Sequence, residues 1–271
     1  LVPEGLLPTL TLSLVLAAQR MARRKVLIRH LPSVETLGSV TVICTDKTGT
    51  LTENRMRVRQ VFLDLHLCDV ETLAGERGSV AACDFFRVAR YCQDLAETRA
   101  NGRIELSGDP LEVALVELTE RIAPLPSPAH RSDEWPFDSE RMRQSVVYPD
   151  IDGQTLYCKG ALESVLPLCE SIVLAGRVQE LDDNRRNAIL RAQEEMAARG
   201  LRVIALASRH LPAACPRELQ ERALTFCGLA GIEDPPRAEV DTAIATCHRA
   251  GIKVIMVTGD HPGTALAIAR Q

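Results

Sequence analysis

One short stretch constrains this chain more than any other: residues 40–52, Val-Thr-Val-Ile-Cys-Thr-Asp-Lys-Thr-Gly-Thr-Leu-Thr. The β-branched apolar run 40–44 predicts a buried strand of a parallel sheet. Directly after it, a carboxylate, an ammonium group and several hydroxyls follow around a glycine. Ligands of open α/β sheets bind at the carboxyl ends of strands. The pattern therefore places Asp46 as an exposed nucleophile, with Lys47 and residues 48–50 suited to phosphate oxygens.

A second apolar run, Lys253–Val257, ends in the same way, in Thr258, Gly259 and Asp260. The preceding residues 237–250 carry a helical apolar stripe that Gly251 stops. We therefore expect the two strands to lie side by side in a parallel sheet, with a large domain inserted between them. A further helix is predicted over 263–270.

The region between the two runs, about residues 57–230, lacks a repeating β-α-β pattern and predicts an inserted α/β domain on an antiparallel sheet. Asp109-Pro110 is typical of a helix start, and Asp152-Gly153 of a hairpin turn. The predicted helices are 79–91, 111–122 and 184–199, the last capped by Gly200, and the predicted strands are 145–148, 155–158, 202–207 and 224–230. Residues 123–134 are predicted to be a loop.

Composition excludes some partners. The chain has 271 residues and a formal net charge of −4 without a basic stripe, which argues against a nucleic-acid partner. Its nine cysteines include no C-x-x-C pair, so a zinc site is not expected. Scattered and odd in number, they indicate reduced thiols in a cytosolic compartment.

Residues 1–19 are almost uncharged, with Glu4 as the one exception, and basic residues follow at 20–25. The stretch is too short to span a membrane alone, which needs about 20 apolar residues. It fits either the cytoplasmic half of a transmembrane helix or an amphipathic helix, and its residues alone favour neither. After it we predict a strand over 25–29 and a helical turn over 32–38.

The string Asp-Lys-Thr-Gly-Thr-Leu-Thr at 46–52 resembles the phosphorylation motif of P-type ATPases, and Pro-Glu-Gly-Leu at 3–6 resembles the ion-site motif of the type II members. This resemblance implies an incomplete haloacid dehalogenase-like, parallel-sheet phosphorylation domain, split by an inserted α/β nucleotide-binding domain with an antiparallel sheet. The implied segments are a membrane-helix end and stalk (1–22), the phosphorylation domain (23–56 and 233–271) and the nucleotide-binding domain (57–232). The whole protein would be a multi-pass pump of the plasma membrane, with this segment mostly cytoplasmic.

The resemblance also implies roles for the residues of the phosphorylation motif. Asp46 would be the phosphorylated nucleophile and a Mg²⁺ ligand, and Lys47 would orient it. Thr48 would bind Mg²⁺ through its carbonyl and phosphate through its hydroxyl. The second phosphate-binding motif would be Thr258, Gly259 and Asp260. The transported cation would bind Glu4.

For ATP, the resemblance implies an adenine pocket and a hinge. Phe137 would stack on the base, Glu112 would face its amino group, and Lys159 with Gly160 would line the pocket. The residues expected near the phosphates or the hinge are Arg202, Asp234 and Arg237. Met142 stands where many relatives carry a lysine. This leaves two possibilities: ATP binds more weakly, or Arg143 compensates. Trp135, the only tryptophan, is expected to report binding.

Three functions remain open from the sequence: a segment of an ion pump that hydrolyses ATP, a haloacid dehalogenase-like phosphatase, and an inactive nucleotide-binding remnant. The actuator motif Thr-Gly-Glu and the metal motif Gly-Asp-Gly-x-Asn-Asp do not occur in these residues. We therefore expect the chain to bind ATP and to hydrolyse it poorly by itself. The expected partners are ATP, Mg²⁺, a transported cation of unspecified identity, and a lipid bilayer reached through further membrane helices.

Overall fold

The computed structural model describes residues 5–73, 83–100, 103–127, 130–212, 215–258, 265, 266 and 269. The helices are α1 (Leu6–Arg23), α2 (Ser33–Gly38), α3 (Val70–Leu73), α4 (Cys83–Tyr91), α5 (Pro110–Ile122), α6 (Leu162–Val165), α7 (Asp183–Ala198), α8 (Arg217–Gln220) and α9 (Val240–Arg249). The strands are β1 (Val42–Asp46), β2 (Arg57–Leu63), β3 (His66–Asp69), β4 (Ala96–Ala100), β5 (Arg103–Ser107), β6 (Asp133–Asp138), β7 (Arg143–Asp150), β8 (Gly153–Gly160), β9 (Cys169–Leu174), β10 (Arg177–Glu180), β11 (Arg202–Leu211), β12 (Leu224–Glu233) and β13 (Lys253–Val257). The chain divides into two compact units, 1–47 with 238–257 and 48–237 with 258–271.

The smaller unit contains the predicted parallel pair. Strands β1 and β13 run parallel with Asp46 opposite Val257, which confirms the expected pairing. The prediction that the first strand is buried is wrong, because side chains of both strands, such as Ile43 and Ile255, reach solvent. The physical reason is that, within the described part of the chain, this sheet has two strands, and a ribbon of that width leaves apolar side chains uncovered.

Helix α1 ends in a way that the sequence did not predict. The N–H of Lys25 donates to the carbonyl of Ala22, that of Val26 donates to the carbonyl of Met21, and Lys25 has φ +64°. These are the two hydrogen bonds and the left-handed residue of a Schellman ending. The predicted strand over 25–29 is therefore wrong: its first residues close the helix, and the described residues give it no pairing strand.

The leucines of α1 are mostly solvent-exposed, and none of its residues is buried. Across the described residues, no helix is both long enough and apolar enough to cross a lipid bilayer. The helical turn predicted over 32–38 is confirmed as α2.

The larger unit is a mixed α/β structure on an antiparallel sheet, as predicted. Its strands follow the order β10-β9-β12-β11-β8-β7-β6, with β2 joining β12 to β3. Among the described strand pairs of this sheet, only β9–β12 is parallel. Strands β7 and β8 form the predicted hairpin, with Asp150 opposite Gly153. A separate ribbon pairs β4 with β5.

Helices cover both faces of this sheet, because apolar side chains along its strands point alternately to one face and to the other. On β11, Ala205 and Ala207 face one core cluster while Leu206 faces the other. The first cluster includes apolar residues of α6 and α7, such as Leu162 and Ile189. The second includes residues of α4 and α5. The result is a sheet sandwiched between two helical layers.

The helix predictions in the larger unit are largely confirmed. Asp109 caps α5, since its Oδ1 accepts a hydrogen bond of 2.7 Å from the N–H of Leu111. Gly200, at φ +81°, follows α7 as predicted. The helix predicted over 79–91 is observed from Cys83, and residues 79–82 lie outside the described residues. The loop predicted over 123–134 is two residues too long, because β6 begins at Asp133 by pairing with Val147.

Candidate functional site

A cavity of about 420 Å³ opens in the larger unit between α5 and the sheet. Five of the residues predicted to bind ATP line it: Glu112, Phe137, Lys159, Gly160 and Arg202. They come from α5, β6, β8 and the start of β11, and the antiparallel pairing of β8 with β11 brings the last two strands together. A volume of this size lies within the range of small-molecule sites.

Lys159 and Glu112 form a buried ion pair in the wall of this cavity. The Nζ atom of Lys159 lies 2.5 Å from Oε1 of Glu112 and also donates to the carbonyl of Cys92 at 2.5 Å. The other carboxylate oxygen of Glu112 accepts a hydrogen bond of 2.8 Å from the N–H of Asp94. Each charge is thus compensated, which buried charges require. The pair gives the cavity a polar but nearly neutral inner wall.

Two lining residues that the sequence analysis missed extend this polar wall. Gln144 is buried and donates from Nε2 to Oδ2 of Asp94 at 2.6 Å. Asp94 also accepts a hydrogen bond of 2.7 Å from Arg131. Arg131 in turn donates a hydrogen bond of 3.2 Å to the hydroxyl of Tyr148. Burial by itself would lower the pKa of Arg131, but hydrogen bonds to Asp94, Tyr148 and Glu134 outweigh it and raise that pKa. No local motif marks Asp94, because its partners Gln144 and Arg131 lie far away in sequence.

Cys92 lies directly behind the ion pair and is fully buried. Its Sγ is 3.6 Å from the carbonyl oxygen of Gln144. Burial raises the pKa of its thiol from 9.0 to about 11, against the opposing charge of Lys159. The thiol is therefore a neutral packing group at physiological pH and not a nucleophile.

Position 160 requires a glycine, because the backbone around Arg143, its partner on β7, approaches too closely for a Cβ atom. A Cβ atom on Gly160 would lie 2.5 Å from the carbonyl oxygen of Met142 and 2.6 Å from Cβ of Arg143. The backbone of Met142 is fixed at φ +50° by hydrogen bonds from its N–H to Asp138 and from Ala161 to its carbonyl. Met142 and Phe137, with 40% and 63% of their surface exposed, form the apolar mouth of the cavity.

Arg143, the first residue of β7, is predicted from the sequence to bind ATP. It does not line the cavity. Its guanidinium lies 3.3 Å from Glu221 and 3.1 Å from the hydroxyl of Ser164, on the face opposite Gln144. Arg141 holds the same Glu221 through two contacts of 2.5 and 2.7 Å. Alternation along a strand explains this placement, since neighbouring residues point to opposite faces.

Trp135 also lies outside the lining of the cavity. It packs against the core cluster that contains Leu162, with the guanidinium of Arg217 at 4.7 Å over its ring. Its fluorescence is therefore better suited to report unfolding of the larger unit than occupancy of the cavity.

Asp234 and Arg237, the remaining predicted ATP-binding residues, hold two chain segments of the larger unit together. Asp234 accepts a hydrogen bond of 2.6 Å from the hydroxyl of the buried Thr52 and one of 3.1 Å from the N–H of Arg55. Arg237 donates a hydrogen bond of 3.0 Å to the carbonyl of Gly49 and one of 3.2 Å to the carbonyl of Thr50. These contacts are structural, and neither residue lines the cavity.

The predicted nucleophile ends a strand, as the sequence indicates. Asp46 is the last residue of β1 and is exposed. Its Oδ1 accepts a hydrogen bond of 2.8 Å from the N–H of Lys47. Lys47 is buried, and Thr48 follows in an extended conformation. Thr258 directly follows β13 in the chain.

Three predicted site residues lie outside the described residues: Glu4, Gly259 and Asp260. In the ranges that are described, no three histidine, cysteine or acidic side chains cluster so as to hold a metal ion.

Comparison with known proteins adds a family. A family model for the cytoplasmic domain N of P-type ATPases matches residues 84–239, more than half of the chain and the part that carries the cavity. Whole-chain relatives include the sodium/potassium-transporting ATPase subunit alpha-1 of Oreochromis mossambicus, 38% identical over 99% of this chain. Others are the "Probable cation-transporting ATPase F" of Mycobacterium tuberculosis (strain ATCC 25618 / H37Rv) and the calcium-transporting ATPase 1 of Bacillus cereus, 39% and 36% identical over 100% of this chain. The chain spans only 29%, 32% and 30% of these three relatives, respectively.

Proposed function

We propose, from the premise that this chain belongs to the P-type ATPases, that it is the part of a cation pump that binds ATP and receives its terminal phosphoryl group on Asp46. ATP hydrolysis would then drive cation transport across a membrane. The relatives are named for sodium/potassium, calcium or unspecified cations, and the identity of the transported cation stays open.

The single observation that carries this proposal is the cavity of the larger unit. A purine needs an apolar or aromatic surface for stacking and polar groups for its edge nitrogens. Phe137 supplies an exposed ring, while Gln144 and the Lys159–Glu112 pair supply donors and acceptors in the wall. We therefore assign the adenine of ATP to this cavity, with Arg202 at the side of the phosphates.

In the phosphoryl transfer that we propose, a carboxylate oxygen of Asp46 attacks the γ-phosphorus of ATP. A new O–P bond forms, the bond to the β,γ-bridging oxygen breaks, and ADP leaves with the electron pair. Because Oδ1 of Asp46 already accepts the N–H of Lys47, we assign Oδ2 as the attacking atom. Lys47, Thr48, Thr258, Gly259 and Asp260 are proposed to orient the carboxylate or bind phosphate oxygens.

Mg²⁺ fits this chemistry as a partner of ATP. The ion usually takes one or two carboxylates and completes its octahedron with waters and phosphate oxygens. The exposed carboxylate of Asp46 suits the protein share of such a set, and the carbonyl of Thr48 is the second ligand that we propose. When bound, the ion neutralises charge on the transferred phosphoryl group.

The domain limits 1–22, 23–56, 57–232 and 233–271 remain part of the proposal, as does a haloacid dehalogenase-like fold of the phosphorylation domain. So do the binding of a transported cation by Glu4 and a location in a membrane, with this segment on its cytoplasmic side. Asp234 and Arg237 are proposed to act through the hydrogen bonds that join residues 49–55 to 234–237.

The test is phosphorylation of the pump that contains this chain, with radiolabelled ATP. Asp46→Asn should abolish an acid-stable, hydroxylamine-labile phosphoenzyme, because an amide cannot form the acyl phosphate. Cys44→Ser, two residues away on the same exposed strand, is the matched control and should keep it. Phosphoenzyme that persists in Asp46→Asn would refute the nucleophile. Absence of phosphoenzyme in both the unmodified pump and the control would favour an inactive remnant.

A further inference from the structure

The charges around the cavity do not suit a polyphosphate. Its lining contains three carboxylates, Asp94, Asp109 and Glu112, against two cations, Lys159 and Arg202. Arg131 offsets Asp94 from outside the lining, so the sum is close to neutral. A site that gains affinity from a phosphate chain carries an excess of positive charge.

The cations near the cavity are already engaged, with one exception. Lys159 is buried and holds Glu112 at 2.5 Å. Arg141 and Arg143 bind Glu221 on the other face of the sheet. Among the described lining residues, Arg202 is the cation whose side chain forms no hydrogen bond or ion pair, and it is exposed. One exposed cation contributes little, because solvent screens it.

The mouth of the cavity offers apolar surface instead. Met142 and Phe137 stand there, and the left-handed backbone of Met142 is fixed by two hydrogen bonds. A thioether adapts to the face of an aromatic or purine ring and has no charge with which to bind phosphate. Position 142 is thus where this chain could carry a phosphate-binding cation and carries a hydrophobic group.

Building on the proposed nucleotide function, we propose that this cavity recognises the nucleoside and is nearly indifferent to the phosphate chain. Without Mg²⁺, ATP, ADP, AMP and adenosine bind with dissociation constants within about fivefold of one another, which corresponds to about 1 kcal/mol. Met142 is the specificity-determining residue of this behaviour. Triphosphate selection in the pump then comes from phosphoryl transfer and not from affinity of the cavity.

The experiment is an NMR titration of this whole chain with the four ligands, in EDTA, following amides of the cavity. The variants are Met142→Lys and its neutral match Met142→Gln, which share the flexible stem and the same strain at positive φ. We expect Met142→Lys to tighten ATP by about fivefold relative to adenosine, and Met142→Gln to leave that ratio unchanged. The gain in Met142→Lys should also shrink as NaCl rises from about 50 to about 300 mM.

The outcomes separate this inference from the function on which it rests. If the unmodified chain binds ATP more than about tenfold tighter than adenosine, phosphate recognition is present and the inference is overturned, while nucleotide binding stands. If Met142→Lys and Met142→Gln change the ratio equally, Met142 does not determine it. If neither ATP nor adenosine shifts the cavity amides, the proposed nucleotide function of the cavity fails.

Discussion

The buried pair between Lys159 and Glu112 makes the sharpest prediction about stability. Their side chains are 11% and 10% exposed and meet at 2.5 Å. Replacing Lys159 by Met keeps the length of the side chain and leaves the carboxylate of Glu112 buried without its cation. Breaking a buried pair from one side costs about 3–5 kcal/mol, because the remaining charge is desolvated and uncompensated. We expect a loss of this size in the free energy of unfolding.

The matched control is an ion pair with the same separation in a different environment. Arg199 and Glu195 also meet at 2.5 Å, but their side chains are 51% and 54% exposed at the C-terminal end of α7. Removing that arginine as Arg199→Met should cost only about 0.5 kcal/mol, the usual value for an exposed pair on a helix. The two pairs have equal distances between their charged groups and differ strongly in burial.

The assay is urea unfolding at equilibrium, followed by the fluorescence of Trp135, which packs on the core of the larger unit. Combining Lys159→Met with Glu112→Gln should recover at least half of the loss, because no unpaired charge then stays buried. The predicted cost of leaving Glu112 buried without its cation is refuted if Lys159→Met costs no more than Arg199→Met. It is also refuted if the double variant loses the sum of its two single losses.

Three further predictions use the same assay. Removing a hydroxyl as Thr52→Val should cost about 1.5–3 kcal/mol, because Asp234 loses a 2.6 Å donor, whereas Thr52→Ser should cost about 1 kcal/mol or less; equal losses would contradict this role. Asp109→Ala should cost about 1 kcal/mol through the lost helix cap and Asp109→Ser clearly less, and an unchanged midpoint in Asp109→Ala would show that the cap contributes nothing. Burial raises the pKa of Cys92 from 9.0 to about 11, so between these values the unfolded chain has lost the proton that the folded one keeps. Stability should therefore fall with rising pH by about 1.4 kcal/mol per unit from this thiol, and Cys92→Ala should show a shallower fall; an equal slope would refute the assignment.

Local signals in the sequence predicted those parts of the fold that local chemistry determines. Asp109-Pro110 and Asp152-Gly153 indicate a helix start and a hairpin through their own backbone preferences. The helix starts where predicted, and the hairpin forms with Ile151 and Asp152 as its turn, one residue before the predicted pair. The parallel pairing of 253–257 with the first strand followed from two apolar runs with the same polar ending. The loop at 123–134 was misjudged at its end, because β6 exists only through pairing with a distant strand.

The candidate site was predicted where a motif names a residue and missed where only packing does. Phe137 and Lys159 line the cavity, whereas Arg143 faces the opposite side and its neighbour Gln144 lines it. Alternation fixes that two neighbours on a strand face opposite ways, but which face meets α5 depends on contacts between distant segments. Asp94 joined the site for the same reason, through hydrogen bonds to residues that are remote in sequence.

Adenine binding in the cavity between α5 and the sheet is the proposal on which the function of this chain rests. It is tested most directly by photolabelling the whole chain with an azido-adenine analogue of ATP and identifying the modified peptides by mass spectrometry. We predict that label falls within 135–145 or 157–162, that excess ATP prevents it, and that Phe137→Ala reduces it. Label confined to other parts of the chain, or label in 135–145 and 157–162 that excess ATP does not displace, would contradict the claim.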